Sequence, residues 1–394
     1  MPGTCAAFSP VFSNTGGLCR QVDPNVKVLL LSAYAAESHV HWRRSLQVMM
    51  PDWEWVVLEL PPRYFAWRVR GNPLYWSLQE RHLLEGDFDL LLATSMVDLA
   101  TLRGLVPSLA RVPTAVYFHE NQFDYPPGRG KHSLLEAQMV SLYSSLAADS
   151  LVFNSAYNRD SFLAGCDALL ARLPDKVPAG IVDTLRARAS VLPVALLEVD
   201  IESDRVSWPG EKEGASLRVL WTGRFEYDKG GDRLLEILRQ LEESAVEYEL
   251  ALVGQQFRDS PPHFDCIVRD FKHRLVQFGY VESRKDYLAL LRGADLLLST
   301  ALHEFQGLAV LEAVAAGCIP IVPDRLAYRE IYPPEYRYAS HPDNIREEAG
   351  AALERLAFWS QAMAEGRGAL PDIAGFSQRQ LAPRYRSLLQ GLAS

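Results

Sequence analysis

Short apolar runs alternate with amphipathic segments along most of the chain. The first run, VKVLLL at residues 26–31, is followed by a loop of small residues and by a helical pattern at residues 38–50. The same alternation continues to residue 192, and we predict strands at residues 26–31, 55–58, 90–92, 114–118, 150–153 and 189–192. Strands that alternate with helices at this spacing form a parallel sheet covered by helices on both faces.

The alternation restarts after a polar, acidic stretch at residues 197–214. Further strands are predicted at residues 217–221, 248–253, 276–278, 296–299 and 319–322, and helices at residues 231–243, 284–292, 308–316 and 377–392. The predicted fold is α/β, with two Rossmann-like domains whose parallel sheets face each other across a cleft. The predicted segments are a disordered extension (1–25), a first Rossmann-like domain (26–196), a linker (197–214), a second Rossmann-like domain (215–375) and a C-terminal helix that closes near the interface (376–394).

Composition narrows the possible partners. A length of 394 residues suits two domains, and the formal net charge is −9, so any contact with RNA is expected to be local. The five cysteines form no CxxC pair, which is typical of a reducing compartment, and we predict a cytoplasmic protein. No apolar run approaches the ~20 residues of a membrane span. Nothing in the sequence indicates an oligomeric state.

Two carboxylates separated by seven residues form the strongest candidate site. Glu304 follows a predicted strand, Gly307 begins the next helix, and Glu312 lies within that small, apolar helix. A carboxylate is costly there without partners, and sugar hydroxyls are suitable partners. Either glutamate alone is more often structural, but the pair together with both its glycines, Gly307 and Gly317, is specific.

A second candidate follows the strand at residues 217–221. Gly223 allows close backbone approach, and Arg224 and Lys229 are cations that can neutralise a diphosphate. The alternative is an ordinary strand–helix turn with solvated cations. Neither GxxxxGK[ST] nor GxGxxG is present, which disfavours ATP and NAD.

A third candidate, the tetrad His119–Glu120–Asn121–Gln122, follows the predicted strand at residues 114–118. Ligands of open parallel sheets bind outside the carboxyl ends of the strands, so these side chains are expected to face the cleft. A lone histidine is more often structural, but its place in this tetrad favours a role in binding or proton transfer.

The segment at residues 60–76 interleaves arginines with aromatic residues. Such a pattern can stack on bases and contact phosphates, or it can be an amphipathic segment whose aromatics join the core. Composition favours neither interpretation.

Metal binding and serine hydrolysis have no support in the motifs. HxxH and HExxH are absent, the DxD spelling at Asp87–Asp89 precedes a strand, and no GxSxG is present. We therefore predict no metal site.

These motifs resemble a known family. Residues 303–317 resemble the EX7E motif of retaining group-4 glycosyltransferases of the GT-B fold. A narrower resemblance, to the tRNA-queuosine α-mannosyltransferase family, rests on Ser38-His39, Leu60-Pro61, Trp67-Arg68, Arg70, Leu74-Tyr75, residues 118–122, Tyr125-Pro126, residues 153–155 and residues 224–229. The family's Gly-Gly before Ser-His is Ala36-Glu37 here, and Gln255 replaces an acidic residue after Gly254.

The resemblance implies transfer of mannose from GDP-mannose to queuosine in a tRNA anticodon, with retention and without a resident cofactor. His119, Glu304, Arg224 and Lys229 would then be catalytic. The implied donor-binding residues are Gly223, Arg224, Lys229, Gly254, His303, Glu304, Gly307, Leu308 and Glu312. The implied acceptor-binding residues are Ser38, His39, Arg63, Trp67, Arg68, Arg70, Glu120, Asn121, Gln122 and Asn154.

Two other functions stay open from the sequence. One is a group-4-like glycosyltransferase that acts on a lipid carrier or a polysaccharide, with residues 64–76 at the membrane surface. The other is a non-catalytic module that binds a nucleotide sugar or RNA. The joint presence of Glu304, Glu312, Arg224 and Lys229 disfavours the latter.

Overall fold

The first part of the chain folds into a helix-covered parallel sheet. The computed structural model describes residues 26–124, 134–197, 208–209, 216–244, 246–256 and 260–394. The predicted extension at residues 1–25 and most of the predicted linker lie outside these ranges. The elements of this first unit are β1 (Lys27–Ser32), α1 (Glu37–Met49), β2 (Glu54–Glu59), α2 (Phe65–Gln79), α3 (Arg81–Leu84), β3 (Leu90–Thr94), α4 (Leu99–Leu105), β4 (Thr114–Phe118), α5 (Leu135–Ala147), β5 (Ser150–Phe153), α6 (Ala156–Leu170), α7 (Ile181–Ala187) and β6 (Ala189–Val191).

The later part of the chain, the second unit, has the same architecture. Its elements are β7 (Leu217–Thr222), α8 (Gly231–Glu242), β8 (Tyr248–Val253), α9 (Pro262–Asp270), β9 (Leu275–Gly279), α10 (Arg284–Gly293), β10 (Leu296–Leu298), α11 (Leu308–Ala315), β11 (Ile319–Pro323), α12 (Tyr328–Ile331), β12 (Arg337–Tyr338) and α13 (Ile345–Ala364). The chain then continues into α14 (Gln378–Ala393).

Within the described ranges, each sheet has six parallel strands. The order in the first is β2-β1-β3-β4-β5-β6, and the order in the second is β12-β11-β10-β7-β8-β9. Helices cover both faces, so central strands such as β3, β4, β8 and β10 are buried along their whole length. The predicted fold class, with two Rossmann-like parallel sheets, is confirmed.

Strand order determines where each sheet opens a crevice. In the second unit the order reverses between β7 and β10, and in the first between β1 and β3. Loops that leave neighbouring strands in opposite directions at such a switch point leave room for a ligand. The two candidate loops of the second unit follow β7 and β10, so they meet at this crevice.

Helix α14 belongs to the core of the first unit although it follows the whole second unit in sequence. The chain leaves the first unit at Leu196, whose backbone N–H donates to the Phe376 carbonyl at 2.9 Å, so the outgoing and returning crossings lie side by side. Leu381, Tyr385 and Leu389 are buried against the first sheet, in a cluster with Trp42 and Leu46 of α1.

The two units also contact each other near the crevice. The Gln306 side-chain amide donates to the Val194 carbonyl at 2.9 Å and accepts from the Val194 N–H at 2.9 Å. The Glu330 carboxylate accepts hydrogen bonds from Ala156 N at 3.0 Å and Tyr157 N at 3.3 Å, at the start of α6. An anion is favourable there because the first amides of a helix lack partners within the helix.

A buried charge cluster supports the loop after β10 from behind. Glu348 of α13 is 0% exposed and binds Arg233 at 3.0 Å and Arg325 at 2.7 Å. The Arg325 Nε donates to the Ala301 carbonyl at 3.0 Å. The cluster therefore connects α13 and α8 to the loop that carries the candidate carboxylate Glu304.

The bounds of the predicted strands and helices agree with the structure to within about one residue at most ends.

Asp89 accepts a hydrogen bond from the Lys27 N–H at 2.8 Å, just before β3. Over the residues that the structure describes, no helix combines the length and apolar character needed to cross a membrane.

We expect Glu348→Ala to lower the free energy of unfolding by about 3–5 kcal/mol, because it leaves two arginines without their buried partner. Chemical denaturation monitored by circular dichroism measures the loss. The exposed Glu354, on the same helix, provides the control, and Glu354→Ala should change stability by less than about 0.5 kcal/mol. Equal stabilities of the two variants would contradict the supporting role of the cluster.

Candidate functional site

The candidate site lies at the switch point of the second sheet. Two loops meet there, residues 223–230 after β7 and residues 299–307 after β10. Backbone and side-chain bonds hold them together, because Leu302 N donates to the Asp228 carbonyl at 2.8 Å and Thr300 Oγ1 donates to the Lys229 carbonyl at 2.8 Å. The two sequence candidates of this unit therefore form one site.

Glycines make this close approach possible. Gly230 has a φ of 68°, and a Cβ atom there would lie 2.1 Å from the Thr300 carbonyl oxygen. A Cβ atom on Gly254 would lie 1.7 Å from the Gly223 carbonyl oxygen. Any other residue at either position would push the loops apart.

Opposite charges pair inside the site. Lys229 Nζ lies 3.1 Å from Glu304 Oε2, 3.4 Å from Asp228 Oδ2 and 3.2 Å from the His303 carbonyl oxygen. Burial alone would lower the pKa of Lys229, but Glu304 and Asp228 outweigh it, and the pKa is raised. Burial alone would raise the pKa of Glu304, but Lys229 outweighs it, and the pKa is lowered. Both groups are therefore charged at neutral pH.

Arg224 places a second cation beside Lys229. Its guanidinium lies 3.1 Å from Glu226 and 3.6 Å from Asp228. At the start of α11, Gly307 has a φ of 75°, and the N-terminal end of the helix is near Glu304. Cations and a helix N-terminus together suit a phosphate group.

Glu312 has partners that the sequence did not indicate. Arg284 of α10 binds its carboxylate in a bidentate pair at 2.5 and 3.3 Å. His41 Nδ1, from the first unit, lies 3.9 Å away. The carboxylate thus lies at the boundary between the units, with a cation already in contact.

On the first-unit side, His119 is held in a box of aromatic rings. It stacks on His39 at 4.1 Å, and the rings of Tyr117 and Trp42 lie 4.8 and 5.0 Å away. Burial lowers the pKa of His39 to about 4, and burial together with His39 and His41 lowers that of His119 well below its ordinary value. Both imidazoles are therefore neutral at pH 7.

Each imidazole of this stack has a buried nitrogen without a hydrogen-bond partner in the described part of the chain, namely His39 Nδ1 and His119 Nε2. The box itself is supported by α14, since Trp42 Nε1 donates to the Tyr385 hydroxyl at 3.2 Å and that hydroxyl donates to Tyr117 Oη at 3.3 Å. The contacts that hold the neutral ring of His119 in place thus leave its Nε2 available for a hydrogen bond to a ligand.

Glu120 and Tyr34 are side chains of the first unit whose pKa values respond to the cations of the second unit. Burial raises the pKa of Glu120, while the positive charges of Arg224 and Lys229 act in the opposite direction. Burial also raises the pKa of Tyr34, again opposed by Arg224. Both side chains therefore lie within electrostatic reach of Arg224.

Other residues of the tetrad have internal partners. The Asn121 amide donates to Asn158 Oδ1 and Ser161 Oγ, each at 2.9 Å, and the Asn154 amide donates to the His119 carbonyl at 2.8 Å. Gln122 is buried as well. These side chains shape the loop that carries His119, and their contact with an acceptor stays a prediction.

The basic, aromatic segment is divided between core and surface. Val69 and Trp76 are buried, whereas Tyr64 and Trp67 are exposed. Arg63 is exposed and Arg68 half-buried, while Arg70 pairs with Asp98 and with Glu136. The structure thus combines the two interpretations that composition left open.

Two further residues that the resemblance implies for the acceptor lie on α1. Ser38 is in its first turn, and His39 is the ring described above. Ala36, in place of the family's glycine, has a φ of −66°, so the loop needs no glycine at this position.

Comparison with known proteins identifies two family regions. Residues 27–196 match the model described as tRNA-queuosine alpha-mannosyltransferase N-terminal, and residues 203–356 match Glycosyl transferases group 1. The chain is 33% identical over 317 residues to the tRNA-queuosine alpha-mannosyltransferase of Drosophila melanogaster, which covers 79% of this chain and 83% of that protein.

Solved structures share the fold at low sequence identity. A glycosyltransferase from Rickettsia africae matches with a TM-score of 0.61 and 12% identity, over 93% of this chain and 98% of its own. Anabaena HepE, solved with UDP and glucose, matches with a TM-score of 0.60 and 14% identity, over 93% of this chain and 100% of its own. These neighbours establish the GT-B arrangement of the two units.

We expect His39→Ala to raise the pKa of His119 towards about 6.5, because water then reaches a ring whose burial is the largest cause of its low pKa. NMR titration of the histidine side chains measures the shift, with His119→Gln identifying the signal. His39→Phe keeps a stacked ring and should keep the pKa low. An equally low pKa in His39→Ala would show that the stack does not control it.

Proposed function

Because the chain belongs to the tRNA-queuosine alpha-mannosyltransferase family, we propose that it transfers mannose from GDP-mannose to queuosine in a tRNA anticodon, with retention of configuration. The observation that carries the proposal is the Lys229–Glu304 pair at the switch point, beside Arg224. We propose a cytoplasmic location as well, because tRNA is found there.

The donor would bind mainly to the second unit. Its diphosphate would lie against Arg224, Lys229 and the first amides of α11, around Gly307 and Leu308. The sugar hydroxyls would bind Glu304, with Gly223, Gly254 and His303 shaping the same crevice. The ribose would bind Glu312, which must then share its carboxylate with Arg284 or release it.

The reaction would proceed on one face of the sugar. The bond between the anomeric carbon and the leaving phosphate oxygen breaks, the bond to the acceptor hydroxyl oxygen forms, and the acceptor proton passes to the leaving phosphate. Arg224 and Lys229 stabilise the charge that develops on the diphosphate, so the residues present supply the positive charge that the step requires. The neutral His119 offers Nε2 to a hydroxyl of the sugar or the acceptor.

The acceptor would enter from the first-unit side. Glu120 lies within electrostatic reach of Arg224, and a carboxylate can accept hydrogen bonds from two neighbouring hydroxyls, such as those of the queuosine cyclopentenediol. Ser38, Arg63, Trp67 and Arg68 would contact the RNA around it, while Asn121, Gln122 and Asn154 hold the loop.

A lipid carrier or a polysaccharide is the second candidate acceptor. The observation that favours it is the set of apolar side chains that α2 exposes beyond Trp67, namely Leu74, Tyr75 and Leu78. An exposed apolar helix face with basic residues suits a membrane surface.

Mass spectrometry of nucleosides tests the acceptor directly. Queuosine-containing tRNA is incubated with the purified protein and GDP-mannose, in the presence of EDTA, and digested. A gain of one hexose on queuosine supports donor, acceptor and metal independence together. Hydrolysis of GDP-mannose without transfer would move the acceptor to the second candidate, and no reaction of any kind would reject GDP-mannose as the donor.

We expect Glu304→Gln to lower the transfer rate by about 10²-fold or more, because the amide cannot be the charged partner of Lys229 or accept as strongly from sugar hydroxyls. Single-turnover kinetics measure the rate. Unchanged thermal unfolding would show that the fold is intact, and Glu354→Gln on α13 should leave the rate unaltered. A wild-type rate in Glu304→Gln would remove Glu304 from the site.

A further inference from the structure

An exposed aromatic pair lies at the first turn of α2, next to the cleft. Tyr64 is 71% exposed and Trp67 is 56% exposed, although large aromatic side chains are usually well buried. On the inner side of the same helix, Val69 and Trp76 pack into the core. The two outer rings are therefore available to contact another molecule.

Tyr64 adopts a backbone conformation that is unfavourable for its residue type. Its φ is 57° and its ψ is 53°, in the left-handed region, and it precedes α2 without a side-chain cap. Such a conformation is disfavoured for a non-glycine residue, because the Cβ atom crowds the backbone. The Arg63 guanidinium lies over the exposed ring, 5.7 Å from its centre. The strain thus presents an aromatic ring and a cation together to solvent.

Trp67 lies flat along its own helix. A Cβ atom on Gly71, four residues later, would be 2.4 Å from Trp67 Cε2 and 2.7 Å from Cζ2. The absence of a side chain at Gly71 is therefore what lets the indole rest on the helix backbone. One face of the indole is covered in this way, and 56% of the residue stays open to solvent.

Contacts place this pair beside the cleft. Phe65, between the two rings, packs edge-on against Tyr34 with ring centres 6.2 Å apart. Burial raises the pKa of Tyr34, and the charges of Arg224 and Glu120 also act on this pKa, in opposite directions. The first turn of α2 therefore lies on the side of the cleft to which Tyr34 and Glu120 belong.

We propose that Arg63, Tyr64 and Trp67 form a stacking platform for an unpaired base next to the nucleoside that is modified. The inference rests on the proposed function, because it takes the acceptor to be RNA. Flat rings that carry a cation match a nucleobase attached to a phosphate backbone. The aliphatic side chains Leu74 and Leu78 lie ~10 Å or more further along the helix, outside the platform.

Equilibrium binding tests the platform independently of catalysis. The probe is a fluorescein-labelled RNA anticodon stem-loop, and its Kd is measured by anisotropy for the full-length protein. We expect Trp67→Ala to raise the Kd by about 5- to 150-fold, which corresponds to the loss of one stacked base. Trp67→Phe should recover most of the affinity, and Gly71→Ala, which displaces the indole, should weaken binding in the same direction.

Two controls separate a local effect from a general one. Tyr143→Ala removes a similarly exposed aromatic side chain on α5 and should leave the Kd of the RNA unchanged. The Kd of GDP, measured by calorimetry, should be the same in Trp67→Ala and in the wild type. Loss of GDP binding in Trp67→Ala would indicate a structural defect, and the Phe variant would then decide.

Removal of the base provides the sharpest test. Stem-loops with an abasic site on either side of the modified nucleoside should bind the wild type more weakly at one of the two positions. On that RNA, Trp67→Ala should cause no further loss. Additive losses, or an unchanged Kd in Trp67→Ala, would overturn the platform.

The outcome also distinguishes the platform from the proposed function. Transfer to queuosine by the wild type, with an unchanged Kd in Trp67→Ala, would reject only the platform. If Trp67→Ala keeps RNA binding and loses binding to vesicles of anionic phospholipid, the segment is a membrane contact and the platform is rejected. No detectable RNA binding by the wild type would reject both.

Discussion

Lys229 and Glu304 form an ion pair where the loops after β7 and β10 meet, at the switch point of the second sheet. The surrounding contacts hold the two loops in this position. A buried ion pair costs much of its attraction in lost hydration, so the contact of Lys229 with Glu304 contributes little to stability. It persists because two loops are bonded to each other and because Gly230 and Gly254 let their backbones approach. In the proposed function, a phosphate would bind Lys229 and sugar hydroxyls would bind Glu304, so each charge has a further partner available.

The first unit fixes the other side of the same crevice. Gln306, two residues after Glu304, binds both backbone groups of Val194, so the loop of the carboxylate is attached directly to the neighbouring unit. On that unit, aromatic rings enclose His119, and among the residues that the structure describes its Nε2 has no hydrogen-bond partner. The contacts between the units and the geometry of the candidate site therefore depend on the same few residues.

Local pattern was enough to predict the fold and to select the two loops that the structure brings together at the switch point. Strands buried on both faces appear as continuous apolar runs, and the spacing of Glu304 and Glu312 is itself a local signal. Partners from distant parts of the chain leave no such signal. Arg284 as the partner of Glu312, and Tyr385 behind His119, could therefore not be predicted. The left-handed conformation of Tyr64 could not be predicted either, because this conformation is usually adopted by glycine. The internal bonds of Asn121 and Asn154 were hidden for the same reason.

The position of α14 has a consequence for how the protein is made. Trp42 and Tyr385 are hydrogen-bonded although 343 residues separate them. An apolar face of the first sheet is covered by Leu381, Tyr385 and Leu389, which follow the whole second unit in the chain. During translation this face stays exposed until the whole second unit and then α14 have emerged from the ribosome. Exposed apolar surface of this kind is bound by chaperones, and a chain that stops before α14 would leave the core of the first unit incomplete.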